Sequence, residues 1–385
     1  MTSNKQKILV VTNSLEIGGT ENHLLQILPL LANENRIVRI ICIRGGGSLV
    51  QKMQDRGVDV RVNGHGCLAK NRSIARRLSN MFTSALFVAR QINRFKPDII
   101  HFFLPESYIV GGLASLFFKS QKRIMSRRSR NYYQKKAFGS KIERVLHKHM
   151  HEIVANSECV VNDLINEGVH PDRISLCYNA VDIDYFQAVK SKEEARRKLG
   201  IEKSSIAIVC VANLIEYKGH EDLLQALQIA KSELSGILIT LLLVGKDGGH
   251  QKKLEKLTEE LGITTNVRYL GSISDVREVL VASDIGVLAS HEEGMSNAIL
   301  EYMCNSLPVV STDVGGAAET LGSTGLLVPP RDPNALAAAL LKLLNDEELR
   351  SLLGKTAFMR VSNKFPLEKA VDKYEALYER TVAIS

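Results

Sequence analysis

Short β-branched and apolar runs alternate with longer helical patterns along almost the whole chain, and this alternation limits the possible folds most. It predicts parallel sheets covered by helices, because a parallel strand must be followed by a long crossover. The first series of predicted strands comprises residues 7–13, 38–43, 58–62, 98–103, 122–126 and 152–157. The second comprises residues 206–214, 237–245, 266–271, 285–290 and 308–312. Each series is expected to form a doubly wound sheet, which binds ligands beyond the carboxyl ends of its strands.

The length of 385 residues fits two domains of roughly 150–200 residues better than one. We expect an N-terminal domain over residues 1–186, a second over residues 187–364 and a terminal helical segment over residues 365–385. Two doubly wound sheets facing each other would form an interdomain cleft at their carboxyl edges.

The cysteines and the N-terminus indicate a protein of a reducing compartment. The six cysteines are scattered without a CxxC pair, which favours buried thiols over disulfides or a zinc site. His147 and His151 share a predicted helical face, but their cationic setting disfavours a metal. The chain enters a strand pattern without a signal peptide, and no apolar run reaches the ~18–20 residues of a membrane span. We therefore expect a cytoplasmic protein.

Positive charge is concentrated in residues 119–151, which contain eleven Lys and Arg against one acid, Glu143. A solvated helical face would account for it, and so would contact with an anionic lipid surface or with a phosphate-bearing substrate. Nucleic acid is disfavoured as a partner, because few aromatic residues are interleaved and no reader motif is present.

Two loops that follow predicted strands have features of anion sites. Gly18 and Gly19 precede a predicted helix, where free amides favour a negative charge, although the spacing is not the GxGxxG of dinucleotide-binding proteins. In the second half, Asn213 follows a strand and Lys218 stands five residues later, just before Gly219 and a helix. A lysine at this edge of a parallel sheet is placed to bind phosphate, although either loop alone is also an ordinary turn.

The segment HEEGMSNAILEYM, residues 291–303, gives the strongest local indication of a site. Ser296 is a candidate N-cap, so the amides of Asn297, Ala298 and Ile299 would be free to bind a diphosphate. Glu293 and Glu301 would lie on either side of that diphosphate, where carboxylates accept hydrogen bonds from sugar hydroxyls. A further glycine pair, residues 315–316, is expected at the same edge of the sheet.

Taken in order, these segments resemble the retaining glycosyltransferases of family 4. The resemblance covers essentially the whole chain and is carried by GGTENHLLQIL (18–28), residues 156–186, NLIEYKGHEDLLQAL (213–227), EGMSNAILEYM (293–303) and PVVSTDVGGAAE (308–319). It implies an α/β chain of the GT-B fold, with two facing Rossmann-like domains, an interdomain cleft and a last helix that crosses back to the N-terminal domain.

The resemblance also implies a donor site for a nucleotide-diphosphate sugar, with no cofactor and no metal. Lys218 would contact the diphosphate, Glu301 the ribose hydroxyls and Glu293 the donor sugar. Amides of the loop and helix start would meet sugar and phosphate, and the glycine pair of the N-terminal domain would close onto the phosphates. The implied donor-binding residues are Gly18, Gly19, Asn213, Lys218, Glu293, Gly294, Met295, Ser296, Asn297, Ala298, Ile299 and Glu301.

Two positions depart from the family pattern. The arginine that commonly stands five residues before the lysine is replaced here by Asn213, which removes one positive charge from the expected diphosphate site. The histidine that often follows the fifth strand is replaced by Arg127 and Arg128. We expect one of these arginines to enter the cleft, and Arg127, Arg128 and Arg130 are candidates for binding acceptor or phosphate.

The expected catalytic residues are Glu293, Lys218, His101 and Arg128. His101, at the end of a strand, is a candidate for sugar contact, with a buried structural role as the alternative. Electrostatic stabilisation of the leaving diphosphate is expected to dominate catalysis. Because no carboxylate is clearly placed as a nucleophile, we favour front-face transfer, in which the leaving phosphate helps to deprotonate the acceptor.

The resemblance and the basic N-terminal half lead to one functional hypothesis and two alternatives. The hypothesis is transfer of a sugar to a glycan or a lipid-diphosphate-linked acceptor in lipopolysaccharide, capsule or exopolysaccharide synthesis. It includes peripheral contact of residues 119–151 with the anionic inner face of the cytoplasmic membrane. The alternatives are a UDP-sugar 2-epimerase of the same fold and a non-catalytic partner subunit, the latter favoured by Asn213.

Overall fold

The computed structural model describes residues 5–64, 74–130, 138–189, 191–234 and 236–383, with the side chains of 74–78 and 138–140 excepted. Cys67 and residues 131–137 of the predicted basic region lie outside the described residues. The described part divides into two compact units, residues 1–179 with 367–385 and residues 180–366.

The first unit is a parallel sheet of order β3-β2-β1-β4-β5-β6-β7. Its strands are β1 Gln6–Thr12, β2 Arg36–Cys42, β3 Asp59–Val62, β4 Ile99–Phe103, β5 Lys122–Arg127, β6 Glu152–Ala155 and β7 Ile174–Leu176. Its helices are α1 Gly19–Leu31, α2 Val50–Asp55, α3 Ile74–Phe95, α4 Pro105–Ser115, α5 Phe138–His147, α6 Glu158–Asn166 and, from the end of the chain, α16 Leu367–Ala383.

The second unit is a parallel sheet of order β10-β9-β8-β11-β12-β13. Its strands are β8 Ile206–Val211, β9 Ile239–Val244, β10 Val267–Gly271, β11 Ile285–Leu288, β12 Val309–Thr312 and β13 Leu326–Val328. Its helices are α7 Ile183–Gln187, α8 Lys192–Leu199, α9 His220–Glu233, α10 Gln251–Glu260, α11 Arg277–Ala282, α12 Asn297–Cys304, α13 Ala317–Leu321, α14 Pro333–Asn345 and α15 Glu347–Lys364.

The central strands are apolar on both faces because helices cover both faces of each sheet. All five residues of β4 are buried, and Ile8, Leu9, Val10 and Val11 of β1 have no exposed surface. The sequence signal is therefore a continuous apolar run. Two three-residue edge strands, β7 and β13, have too few residues for such a run, and the sequence pattern did not predict them.

Strand order reverses once in each unit, and both reversals lie where the sequence placed its loop motifs. In the first sheet β1 pairs with β2 on one side and β4 on the other. In the second, β8 pairs with β9 and β11. The chains that follow β8 and β11 leave in opposite directions, which opens a crevice at the carboxyl edge between them.

The unit boundaries lie at residues 179/180 and 366/367, whereas the sequence placed them at 186/187 and 364/365. The physical reason is local pairing: the Val181 amide donates to the Phe365 carbonyl at 3.1 Å, and α7 packs against α12. Residues 180–186 therefore belong with the second unit.

The last helix, α16, packs on α1 of the first unit and adds buried polar contacts to it. The Tyr378 hydroxyl shares a 2.9 Å hydrogen bond with His101 Nδ1, and the Tyr374 hydroxyl shares one of 3.2 Å with His23 Nε2. Arg36, buried in β2, pairs with Glu375 of the same helix. No described helix is both long and apolar enough to cross a membrane.

Replacing Tyr378 by Phe is expected to lower the free energy of unfolding by about 1–3 kcal/mol, because it leaves His101 Nδ1 buried without its partner. Urea denaturation followed by circular dichroism measures the change. Tyr217→Phe, at a half-exposed tyrosine, is the matched control and should stay within ~0.5 kcal/mol of the parent. Equal losses in the two variants would contradict a structural role for the Tyr378 hydroxyl.

Candidate functional site

The candidate site of the second unit is built from three turns at the carboxyl edge of its sheet. They follow β8, β11 and β12, which lie side by side, and comprise residues 213–219, 289–296 and 313–316. Because β8 and β11 flank the reversal of strand order, their turns border the crevice where such sheets bind ligands.

Gly219 allows the first turn to pack directly on the second. Its φ of +68° is left-handed, and a Cβ there would lie 1.9 Å from the Ala289 carbonyl oxygen, so a side chain cannot be accommodated. The His291 amide donates to the Tyr217 carbonyl at 2.7 Å, which joins the two turns on the other side. This close approach carries Lys218 to the residues after β11.

Lys218 and Glu293 form an ion pair, with Nζ and Oε1 2.5 Å apart. Their side chains are 18% and 13% exposed, and the Ser290 hydroxyl donates a second hydrogen bond to Glu293 at 2.7 Å. Burial by itself would lower the pKa of Lys218, but the Glu293 carboxylate offsets it, and the pKa lies above its usual value. The cation is therefore charged and is held at the mouth of the crevice.

Asn213 is exposed at the start of the same turn, and its Oδ1 accepts a hydrogen bond from the Lys246 amide at 3.0 Å. The side chain therefore holds the loop that follows β9. It brings no positive charge to the site, in agreement with its neutral identity in the sequence.

Helix α12 directs its N-terminus into the third part of the site. Ser296 occupies the N-cap position, as the sequence predicted, but its side chain makes no capping hydrogen bond. Tyr302 fixes the helix: its buried hydroxyl accepts from the Val211 amide at 2.6 Å and donates to the Val287 carbonyl at 3.2 Å. The free amides at the start of α12 remain available to an anion beside the loop of Gly294 and Met295.

Glu301 lies on α12, one turn beyond Asn297, Ala298 and Ile299. Burial raises the pKa of its carboxyl to about 7, and no described residue makes a hydrogen bond or ion pair with this side chain. An unpartnered, half-buried carboxyl group in a crevice is suited to accept hydrogen bonds from a ligand.

The glycine pair after β12 closes the site from the other side. Gly315 has a φ of +58°, and a Cβ there would lie 2.2 Å from the Glu293 carbonyl oxygen. The Gly316 amide donates to the Gly294 carbonyl at 2.6 Å. The four loop features that the sequence placed at one edge are therefore in mutual contact or adjacent. That they bind a donor stays a prediction.

In the first unit, Gly18 and Gly19 begin α1 beside the strand reversal, as the sequence predicted. Glu21 folds back over this helix start, since a Cβ on Gly18 would meet its Oε2 at 2.5 Å. Burial raises the pKa of Glu21 to about 7. The helix start therefore has its own carboxyl group close to the amides.

His101 does not have the contacts of a sugar-binding residue, and this prediction is corrected. The side chain is completely buried, with Nδ1 bonded to Tyr378 and Nε2 to the Ser126 hydroxyl at 2.8 Å. Burial, with a smaller contribution from Arg128, lowers the pKa of His101 to about 3. The ring is thus a neutral structural link between β4, β5 and α16.

Two of the three candidate arginines are neutralised by carboxylates, and their prediction as phosphate ligands is also corrected. Arg127 is buried between Glu143, at 3.0 Å, and Glu167, at 2.6 Å. Arg130 binds both carboxylate oxygens of Asp163, at 3.0 and 3.1 Å. An arginine that is already paired twice with carboxylate oxygens has little capacity for a further anion.

Arg128 differs from its neighbours, because its Nη2 donates to the neutral Asn179 Oδ1 at 2.6 Å. Burial lowers its pKa. It borders a cavity of about 110 Å³ in the first unit, which is also lined by Thr20, Tyr108 and Ser129. Its role in binding an acceptor stays a prediction.

Within the described residues, no group of three or more His, Cys, Asp or Glu side chains could hold a metal ion. His147 instead bonds the Tyr108 hydroxyl and Glu167, and His151 Nδ1 accepts from the Arg123 amide. Sequence reasoning missed Ser290 as the partner of Glu293 and Tyr302 as the anchor of α12. The only signal for Ser290 was its place at the end of a strand.

Two family models match the chain, and between them they account for most of its length. The model described as Glycosyltransferase Family 4 matches residues 17–185, and the model described as Glycosyl transferases group 1 matches residues 191–360. The second match contains every turn of the site in the second unit.

Curated relatives and solved structures agree with these models. The chain is 32% identical to N-acetyl-alpha-D-glucosaminyl L-malate synthase of Bacillus anthracis over 59% of its own length and 58% of the relative's. It is 27% identical to the capsular polysaccharide biosynthesis glycosyltransferase CapM of Staphylococcus aureus, over 74% and 77%. The chain thus spans little more than half the length of some curated relatives that it matches.

The crystal structure of Anabaena Alr3699/HepE in complex with UDP-glucose superposes with a TM-score of 0.82 over 97% of this chain and 99% of that one, at 21% identity. A likeness at this level of identity shows the fold. It confirms the prediction of an α/β chain with two Rossmann-like domains.

Gly315→Ala is expected to destabilise the chain more than Gly262→Ala. Both glycines are left-handed, at +58° and +66°, which costs an alanine about 1–2 kcal/mol at each position. Only at Gly315 does the added Cβ also meet backbone, so a further 1–3 kcal/mol is expected there. Urea denaturation of the two variants measures the difference, and equal losses would show that the third turn does not pack as described.

Proposed function

Because the chain belongs to the glycosyltransferases of family 4, with the GT-B fold, we propose that it transfers a sugar from a nucleotide-diphosphate sugar to a glycan or lipid-linked glycan. Transfer is proposed to retain the anomeric configuration and to need neither metal nor cofactor. The observation that carries the proposal is the contact of Lys218 with Glu293 beside the free N-terminus of α12.

The donor diphosphate is proposed to lie over the start of α12. There the amides of residues 297–299 and the positive end of the helix favour a dianion. Lys218 would donate to the phosphate nearest the sugar and give up part of its contact with Glu293. Glu293 is then free to accept from a sugar hydroxyl, and Glu301 accepts from the ribose. Asn213 brings no charge, so neutralisation depends on Lys218 and the helix.

This assignment gives each group a definite task in the reaction. As the bond from the anomeric carbon to the diphosphate breaks, negative charge grows on the leaving oxygen, where Lys218 and the α12 amides stabilise it. The incoming acceptor hydroxyl attacks from the same face, and a leaving phosphate oxygen takes its proton. No protein carboxylate has to act as nucleophile in this scheme.

The proposed acceptor belongs to cell-surface polysaccharide synthesis, such as lipopolysaccharide O-antigen, capsule or exopolysaccharide. The name of the capsular relative and the cavity beside Arg128 support this assignment. Lipid-linked acceptors would place the protein in the cytoplasm at the inner face of the membrane. A UDP sugar is supported as donor by the UDP-glucose complex of the Anabaena protein.

A panel of nucleotide sugars tests the function directly. We expect one donor to raise the thermal midpoint and to release nucleoside diphosphate only when an acceptor glycan is added. Interconversion of the donor without release would instead indicate an epimerase. Binding of nucleotide with no transfer across a broad acceptor panel would indicate a non-catalytic subunit.

Lys218→Ala is expected to reduce kcat/KM by roughly 100- to 1000-fold, because it removes a fixed cation from the leaving group. Steady-state transfer kinetics measure the loss. Lys252→Ala, at an exposed lysine of α10, is the control and should leave kcat/KM unchanged. A loss below about threefold at Lys218 would be incompatible with its proposed role.

The donor KM is expected to fall as the pH rises through about 7, because ionised Glu301 accepts from ribose hydroxyls more strongly than the neutral acid. Binding thereby lowers the pKa of Glu301, which requires tighter binding at high pH. Donor KM measured from pH 6 to 8 tests this dependence. Glu301→Gln, which cannot ionise, should have a KM that stays flat over the same range, and an unchanged slope in this variant would refute the assignment.

A further inference from the structure

Three adjacent helices of the first unit, α3, α4 and α5, carry apolar side chains that face away from the core. Helix α4 packs against both of the others, and its inward residues, such as Tyr108 and Ala114, join the main core. Large side chains on the opposite sides of the three helices remain exposed, namely Met81, Phe82, Leu86, Leu113, Phe117 and Val145. These six residues define the apolar face.

The exposure on this face is larger than scattered surface residues explain. Phe117, just after α4, is 87% exposed, and Phe82 of α3 is 65% exposed. Leu113 stands four residues before Phe117 and Leu86 four after Phe82, so each pair forms a stripe along its helix. A contiguous apolar patch of this kind on a folded domain marks a contact surface.

The charge around the apolar face has one sign. Residues 74–151 contain sixteen Lys and Arg against three acids, Asp98, Glu106 and Glu143. Glu106 pairs with Arg44 at 2.5 Å, and buried Glu143 pairs with Arg127. Asp98 accepts from the Lys7 amide. These contacts keep two of the three carboxylates from balancing the surface cations.

The cations that reach the surface are fewer than the sequence suggested. Arg123 is buried and donates to the carbonyls of Ser115 and Phe118, and Arg127 and Arg130 are paired with acids. The exposed cations on or beside the three helices are Arg90, Arg94, Lys119, Lys141, Arg144 and Lys148. Together they border the apolar face.

We propose that this face docks on the surface of an anionic lipid bilayer. The apolar side chains would enter the interface between headgroups and acyl chains, while the surrounding Lys and Arg bind lipid phosphates. The charge excludes a second copy as the preferred occupant, because two such faces would bring only positive charges together. This surface is independent of the proposed transfer reaction, since it shares no residue with either the donor site or the cavity beside Arg128.

Sedimentation of the full chain with vesicles, without any nucleotide sugar, tests the docking. We expect strong binding to vesicles of phosphatidylglycerol and phosphatidylcholine in equal parts, weak binding to phosphatidylcholine alone, and loss of binding as salt is raised. The charge variant Lys141→Gln/Arg144→Gln/Lys148→Gln should bind roughly 100-fold more weakly, at about fivefold per cation. The apolar variant Phe82→Ser/Phe117→Ser should lose at least about tenfold.

Matched controls lie in the second unit. Leu352→Ser/Met359→Ser removes two exposed apolar side chains of α15, and Lys252→Gln/Lys342→Gln/Lys355→Gln removes three exposed cations. Both should bind vesicles like the parent, and thermal unfolding establishes that every variant is folded. Equal binding by test and control variants would overturn the proposal. So would dimerisation that Phe82→Ser/Phe117→Ser abolishes, because the face would then bind a second copy.

Discussion

The arrangement of the second unit depends on the divergence of the chain after two neighbouring parallel strands. Because β8 and β11 lie side by side and their following segments leave in opposite directions, no helix fills the space between them. The turns can then meet only where backbone approaches backbone, which explains why Gly219 and Gly315 have no room for a side chain. Lys218 and Glu293 come into contact because these glycines bring their turns together.

In the first unit the corresponding edge is filled from within the chain. Helix α16 returns to pack on α1, and its tyrosines bind His101 and His23 in a buried network. A neutral histidine with both nitrogens bonded is cheap to bury, whereas a charged one is not. This explains why a histidine at the end of a strand, an attractive candidate for chemistry in sequence, became part of the packing.

The sequence was sufficient for the features that depend on local pattern. Continuous apolar runs predicted the central strands, and the spacing from Glu293 to Glu301 placed both residues around the start of α12. It was insufficient where a residue's role depends on a distant partner. Arg127 cannot be distinguished from Arg128 without knowing that Glu143 and Glu167 approach only the former. The outward stripe of α4 was also invisible, because exposure depends on which helices pack beside it.

The pairing of Lys218 with Glu293 has a kinetic consequence. A site whose cation is already matched by a carboxylate presents little net field to an approaching anion, so long-range steering adds little to the association rate. The attraction of Lys218 for a phosphate acts only after contact, when the ligand takes the place of Glu293. Discrimination among anions at this site would then arise mainly in how long each one stays.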